Sequence, residues 1–339
     1  MDDSFYKLAD CRENLELIKE IGKGASGKVY LAKYVGDRTD RADRADRTGP
    51  VAVKVFNFSD ELRGEKDTSI TNELFDGLVG SYLYSKKCKV TRVREVFHCA
   101  ESETNEFMIV MDYIEGTSLK EYAQEKLPPS IKFDITRKLL KAFTCLHDHN
   151  VYHRDIKLDN IMIEHKKGDE VKIIDFGLSC VEFSEDFSKF VYSQVDEGLG
   201  DLIMEQTCTL ESIGAPLYRP PEEFLEQVDK GTFGDVWFLQ LKDSFALGCL
   251  LYELWALDGD FMTKDVGNTI EKVKDYIETL LIEGKNYPRI PVNAAPADLI
   301  DMVASMTEFQ SDRRMTIGEA LTKFEKDRNS NLSFILQRR

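Results

Sequence analysis

The chain has 339 residues, 42% hydrophobic and 31% charged, which is globular composition and length enough for two cores or one two-lobed unit with generous loops. Its 45 Lys and Arg stand against 61 Asp and Glu, and the net charge of -16 repels polyanions, which argues against nucleic acid or an anionic membrane as partner. Cys11, Cys88, Cys99, Cys145, Cys180, Cys208 and Cys249 lack CxxC spacing and read as reduced thiols of a cytoplasmic or nuclear protein without a zinc site; an acidic start and the absence of a bilayer-length apolar run predict solubility.

Leu15 to Ile21 reads as a strand running into Gly22-Lys23-Gly24-Ala25-Ser26-Gly27-Lys28-Val29, after which Val29-Tyr30-Leu31-Ala32 resumes extended character. Three glycines in a strand–turn–strand let backbone amides approach phosphates with no Cβ in the way. A dinucleotide site needs a helix after the last glycine, and a strand stands there instead. Residues 37–48 repeat an Asp-Arg triplet four times, alternating charges that suit a solvated hairpin expansion. Val51-Ala52-Val53-Lys54-Val55-Phe56 is a strand with a lysine in its middle, and Glu73 follows nineteen positions later in a helical stretch.

Phe107 to Met111 is an apolar strand that stops in the connector Asp112-Tyr113-Ile114-Glu115-Gly116. Pro128-Pro129-Ser130 opens a helix with Ile131, Ile135, Leu139, Phe143 and Leu146 at near-helical spacing; His147 and His149, two apart, diverge and read as structural. Then come His153-Arg154-Asp155-Ile156-Lys157-Leu158-Asp159-Asn160, which gather acids, bases and an amide in one loop. The hairpin Ile161-Met162-Ile163 / Val171 to Ile174 leads to Asp175-Phe176-Gly177. The stretch onward to Glu222 reads as a long, conditionally ordered loop, and Leu225 to Leu241, with Trp237 and Phe238, as a packed surface loop. A helix from Asp243 is apolar all round and therefore buried; later stripes at Ile270 to Leu281 and Leu299 to Met306 and a capping box at Thr316 to Glu319 mark three more.

In this order the motifs resemble the catalytic domain of eukaryotic-type protein kinases over residues 13–327. The resemblance implies an α+β, two-lobed fold: a small antiparallel β-sheet lobe with one main helix over about 13–112, a hinge at 112–117 and a larger, mainly helical lobe over 118–327. Residues 1–12 and 328–339 are then an N-terminal extension and a C-terminal tail.

It also implies roles, with ATP and Mg2+ as cofactors. Gly22, Gly24 and Gly27 cover the phosphates, Lys54 binds the α- and β-phosphates, and Glu73 holds Lys54, with Glu61 and Glu65 as alternatives. Val29 and Ala52 wall the adenine, Met111 guards the pocket behind it, backbone groups near Asp112 and Ile114 bind its edge, and Met162 floors it. Asp155 orients the attacking hydroxyl and takes its proton, Lys157 neutralises the moving phosphoryl group, and Asn160 and Asp175 hold magnesium. Phe176 packs beneath the helix of Glu73, Asp243 fixes the catalytic-loop backbone, and Arg314 pairs with Glu222.

Departures from the pattern are Gly77, where an apolar side chain usually follows the helix glutamate, Ala215 for a threonine, and Pro220 for an alanine. Leu178-Ser179-Cys180, just after the Asp-Phe-Gly triplet, offers no basic residue, and Glu211 stands roughly where a phosphorylated residue would pair with Arg154. Activity without activation-segment phosphorylation is therefore expected, Thr209 and Ser212 being the sites to check. Asp159 and Glu253 occupy places where acids select basic residues before a target serine. The implied function is Ser/Thr protein phosphorylation; the alternatives are a pseudokinase scaffold that binds partners and a small-molecule phosphotransferase.

Overall fold

The computed structural model describes residues 6–8, 15–23, 27–35, 49–57, 66–99, 106–182, 184–204, 208, 213–224, 236–256, 266–267 and 269–327. Gly24, the 37–48 repeat, Glu61, Glu65, Thr209, Glu211, Ser212, residues 225–235 and the 328–339 tail lie outside them.

The strands are β1 (Tyr6–Leu8), β2 (Leu15–Lys23), β3 (Lys28–Tyr34), β4 (Val51–Asn57), β5 (Val93–Cys99), β6 (Glu106–Asp112), β7 (Gly116–Ser118), β8 (Val151–Tyr152), β9 (Ile161–Glu164), β10 (Glu170–Ile173) and β11 (Cys180–Val181). The helices are α1 (Lys66–Ser85), α2 (Leu119–Ala123), α3 (Pro129–Asp148), α4 (Glu185–Gln194), α5 (Glu197–Met204), α6 (Val236–Ala256), α7 (Ile270–Ile282), α8 (Ala297–Met306) and α9 (Ile317–Lys326). They fall into two compact units: Met1–Glu115 with Asp175–Gly177 and Phe183–Gln206, and Gly116–Ile174 with Leu178–Glu182 and Thr207–Arg339.

The first unit is a six-stranded sheet in the order β1-β5-β6-β4-β3-β2, antiparallel except for the parallel β1–β5 pair. Alternation along β4 sends Val51, Val53 and Val55 into a core with Ala32, Phe97, Met108 and Val110. The same period sends Ala52, Lys54 and Phe56 to the opposite face. Directly paired residues share a face, so the pairs Val29 with Lys54 and Ala52 with Met111 put all four side chains on the lysine's side.

The long loop expected after Asp-Phe-Gly contains two helices. Ser184 caps α4 by accepting the Phe187 N–H, Glu185 and Asp186 lie in its first turn, and Phe187 and Val191 are buried at i, i+4. In α5, Gly200 and Ile203 are buried.

The second unit holds the sheet β10-β9-β7, the β8–β11 pair and helices α2, α3 and α6–α9, while α1 belongs to the first. The mostly apolar α6 begins at Val236, not Asp243, so Trp237 and Phe238 belong to it and not to a surface loop: Phe238, Leu239 and Leu241 continue its buried pattern towards its start. Trp255 at its far end is 1% exposed and donates its indole N–H to Thr136 of α3 at 3.0 Å. The capping box at Thr316 forms as expected, its hydroxyl accepting the Glu319 N–H while Glu319 accepts the Thr316 N–H.

The reading of every cysteine as a reduced thiol is corrected. Cys180 and Cys208 form a disulfide across 28 residues, packed with Tyr152 and Leu239, while Cys249 is a free, buried thiol. Sequence spacing carries no information on cysteines brought together by a long excursion of chain. Among the described residues no helix is long and apolar enough to cross a membrane.

Candidate active site

Lys54 projects from the middle of β4 and is 8% exposed. Its Nζ donates to Asp76 Oδ2 and to Asp175 Oδ1, each at 2.8 Å, and lies 4.9 Å from the centre of the Phe56 ring. Burial pulls the lysine's pKa down, but the two carboxylates outweigh it and hold it above the ordinary value. The second oxygen of Asp76 accepts the Phe176 N–H at 2.9 Å, so one carboxylate ties α1 to the lysine strand and to the Asp-Phe-Gly backbone.

The pairing acid is therefore Asp76, a correction to the assignment of Glu73. The two stand three residues apart on one face of α1, so helical spacing alone admits either. Glu73 feels Lys54 through space, but its carboxyl is pushed up to about 8, first by burial and further by Asp76 and Asp175. The shorter acid serves because the helix lies close. One turn beyond Asp76 stands Gly80, where a Cβ would come within 3.1 Å of Val93 and 3.6 Å of the Phe176 ring. The small residue one turn after the pairing acid is thus Gly80, not Gly77, and Phe176 packs against α1 there.

Asp175 adopts a left-handed backbone (φ 66°), strained for a non-glycine residue. In the Gly-rich hairpin, Gly22 pairs with Val29, and a Cβ on Gly27 would lie 2.3 Å from the Val55 carbonyl oxygen, which excludes every side chain. At the end of β6 the Asp112 N–H donates to the Arg92 carbonyl at 2.9 Å, the Asp112 carbonyl accepts the Thr91 hydroxyl at 3.2 Å, and Arg94 holds its carboxylate at 2.5 Å. Ile114 follows in the connector and is half-buried.

The second unit assembles a different cluster. Asp155, 8% exposed, accepts Lys157 Nζ at 2.5 Å and Asn160 Nδ2 at 2.9 Å on Oδ2, and the Ala215 N–H at 3.0 Å on Oδ1. Asn160 Nδ2 also donates to the Asp155 carbonyl at 2.9 Å. Both of these bonds use the amide nitrogen, and the amide oxygen is the atom suited to a cation. Ile174, the residue before Asp175, donates its N–H to the Asn160 carbonyl at 3.0 Å. Met162 lies on β9 opposite Ser118.

This loop is braced by Asp243, which is fully buried on α6. Its oxygens accept the backbone N–H groups of His153 and Arg154, each at 2.8 Å, and its Oδ2 lies 3.1 Å from His147 Nε2. Burial alone would raise its pKa; the His147 contact and the Arg154 N–H outweigh this and keep it low. His153 Nδ1 accepts the Asp155 N–H at 3.3 Å, which leaves the ring proton on Nε2, 3.2 Å from the Ile174 carbonyl. His147 and His149, which contacts the Cys145 carbonyl at 2.8 Å, hold backbone and side chains in place as expected.

Ala215 lacks the hydroxyl expected from a threonine, yet its backbone N–H reaches Asp155 directly. Gly214 makes that possible, with φ 97° and a Cα so near Arg154 that a Cβ would sit 2.4 Å from its carbonyl oxygen. Further on, Glu222 and Arg314 form a buried bidentate pair at 2.7 and 2.9 Å. Glu253 is 3% exposed and accepts the Tyr218 hydroxyl at 2.5 Å, so it does not present an acid to a basic peptide; Asp159 is ion-paired with Lys120 at 3.1 Å.

The family model described as the protein kinase domain matches residues 15–324. A probable serine/threonine-protein kinase of Dictyostelium discoideum is 27% identical over 257 residues, covering 71% of this chain and 46% of that protein. CBL-interacting protein kinase 25 of Oryza sativa subsp. japonica is 25% identical over 91% of this chain and 50% of its own length, and the serine/threonine-protein kinase Genghis Khan of Drosophila melanogaster is 26% identical over 87% of this chain and 16% of its own. The chain thus spans half or less of these relatives. With a family match running through nearly every element that carries the two clusters, the chain belongs to the protein kinase domain family.

Proposed function

We propose that the chain is an ATP-dependent protein kinase that transfers the γ-phosphoryl group of Mg-ATP to Ser/Thr hydroxyls of protein substrates. The observation that carries this reading is the Asp155 cluster, in which a buried carboxylate is held by Lys157, Asn160 and the Ala215 amide and braced from behind by Asp243. Such a carboxylate can orient a hydroxyl and take its proton, and Lys157 can offset charge on the transferred group. Lys54, charged and held by Asp76 and Asp175, supplies a fixed cation for phosphate oxygens. Val29, Ala52 and Met111 offer an apolar wall for an adenine on the lysine's side of the sheet, with the hairpin of Gly22 and Gly27 to cover the phosphates and the backbone near Asp112 and Ile114 to meet the adenine edge.

The Asp175 carboxylate and the Asn160 amide oxygen are hard donors that fit magnesium, which when bound offsets the charge of the phosphate oxygens. An acidic chain does not suit nucleic acid, so protein is the proposed substrate class. The acceptor preference rests on Lys157 and on the Ser/Thr kinases among the relatives. The alternative of a silent scaffold rested partly on Ala215, and the Ala215 N–H supplies the bond to Asp155 that the missing hydroxyl would have made. Transfer of label from radioactive ATP to a generic protein substrate, followed by phosphoamino-acid analysis, tests the reading. Phosphoserine or phosphothreonine is expected; no transfer in the presence of Mg2+ would contradict it.

A further inference from the structure

Helix α1 has two working faces. One carries Glu73, Asp76 and Gly80 towards Lys54 and Phe176. The other, about a third of a turn away, carries Phe75, Tyr82 and the following Lys86, spaced by seven and four residues. This second face is covered by α4, which belongs to the stretch between Asp-Phe-Gly and Pro-Pro-Glu.

The contact is specific and largely dry. Phe187, 2% exposed, sets its ring edge-on to Phe75 and Tyr82, with centroids 6.2 and 5.1 Å apart, and Phe190 meets Tyr82 at 5.5 Å. At the rim, Asp186 accepts the Tyr82 hydroxyl at 3.3 Å and pairs with Lys86. The clasp touches Phe75, the residue immediately before Asp76. Tyr82, two residues beyond Gly80, fixes the next two turns of the same helix.

We infer that α4 is a built-in positioning element for the nucleotide lysine: by clasping Phe75 and Tyr82, Phe187 and Asp186 hold α1 in the register that places Asp76 on Lys54. The inference rests on the kinase reading for its consequence in catalysis, but not for the clasp itself. Lys54 then has its carboxylate partner whenever α4 is folded against α1.

The test compares the full chain with Phe187→Ala and with the milder Asp186→Asn, whose side chain is exposed and whose folding is not at risk. Lysines are acylated with a limiting amine-reactive reagent and the rate at each site is read by mass spectrometry. Lys54 is expected to label at least tenfold faster in Phe187→Ala and about threefold faster in Asp186→Asn. Lys132, buried over Trp255 in the other unit, reports general unfolding and is expected to stay unchanged. Phe187→Leu, which refills the space, is expected to restore most of the protection. In the transfer assay, kcat/KM for Mg-ATP is expected to fall roughly tenfold to a hundredfold in Phe187→Ala, well below its melting temperature. Unchanged Lys54 labelling in both variants, or faster Lys54 labelling without loss of kcat/KM, would overturn the inference. Absence of transfer by the parent chain would instead remove the kinase reading, while the labelling result would still decide whether α4 holds Lys54.

Discussion

The two clusters of charged side chains are built in opposite ways. Asp155, Lys157 and Asn160 come from six consecutive positions, and their geometry is set by a tight loop with one buried brace, Asp243, behind it. Lys54, Asp76 and Asp175 come from a strand, a helix and a strand end up to 121 residues apart, and no local backbone rule relates them. A contiguous cluster stands or falls with its brace. A dispersed one depends on how each element packs, and a single turn of α1 decides which acid reaches the lysine.

The largest effect is expected at the brace. Asp243→Asn replaces a charged acceptor of two buried N–H groups with an amide whose nitrogen faces donors, and should cost about 3–5 kcal/mol, measured by urea denaturation. A cost below about 1 kcal/mol would show that the loop holds its shape without Asp243. Next comes the disulfide: a 28-residue closed loop implies about 3–4 kcal/mol from chain entropy, so Cys208→Ser should lower the melting temperature by several degrees. Reducing agent should lower the parent's melting temperature and leave that of the variant where it is.

The dispersed cluster is sharpened by exchanging its two candidate acids. Asp76→Asn should lower kcat/KM for Mg-ATP by about tenfold to a hundredfold, whereas Glu73→Gln should change it less than about threefold. The reverse order would restore Glu73 as the lysine's partner. The last effect concerns pH. With its carboxyl pushed up to about 8 in the folded chain against an ordinary value of 4.5, Glu73 stays protonated after the unfolded chain has released its proton. Its contribution to stability should therefore decline as pH rises from about 4.5 to about 8 and level off above that, and Glu73→Gln should flatten the decline. Denaturation midpoints across that range, parent against variant, measure it.

The same contrast explains what could be read without coordinates. Asp155, Lys157 and Asn160 were legible because their spacing in the chain is their spacing in space, and Glu222 with Arg314 because a recognisable motif marks each end. Asp76 was not, since an acid three residues along the same helix face satisfies every sequence criterion and only the close approach at Gly80 favours the shorter side chain. Helix α4 carries a start signal in Ser184 before Glu185 and Asp186, with Phe187 and Val191 following, while the length of the segment points to a loop. Helix α6 starts about two turns before Asp243, the residue that reads as its entry point, because the burial of Asp243 serves the neighbouring loop. The Cys180–Cys208 bond had no signal in spacing at all, and it withdraws the argument from reduced thiols for a cytoplasmic or nuclear location.

The account rests on Asp155 acting on the hydroxyl that attacks the phosphoryl group, and Asp155→Asn tests it most directly because the carboxamide keeps the size of the side chain. Initial rates of phosphoryl transfer and Mg-ATP affinity should be measured on the same preparations of parent and variant. The account predicts that transfer falls by about a hundredfold to ten-thousandfold while affinity stays within about threefold. A variant that retains a tenth or more of the parent's rate would contradict it.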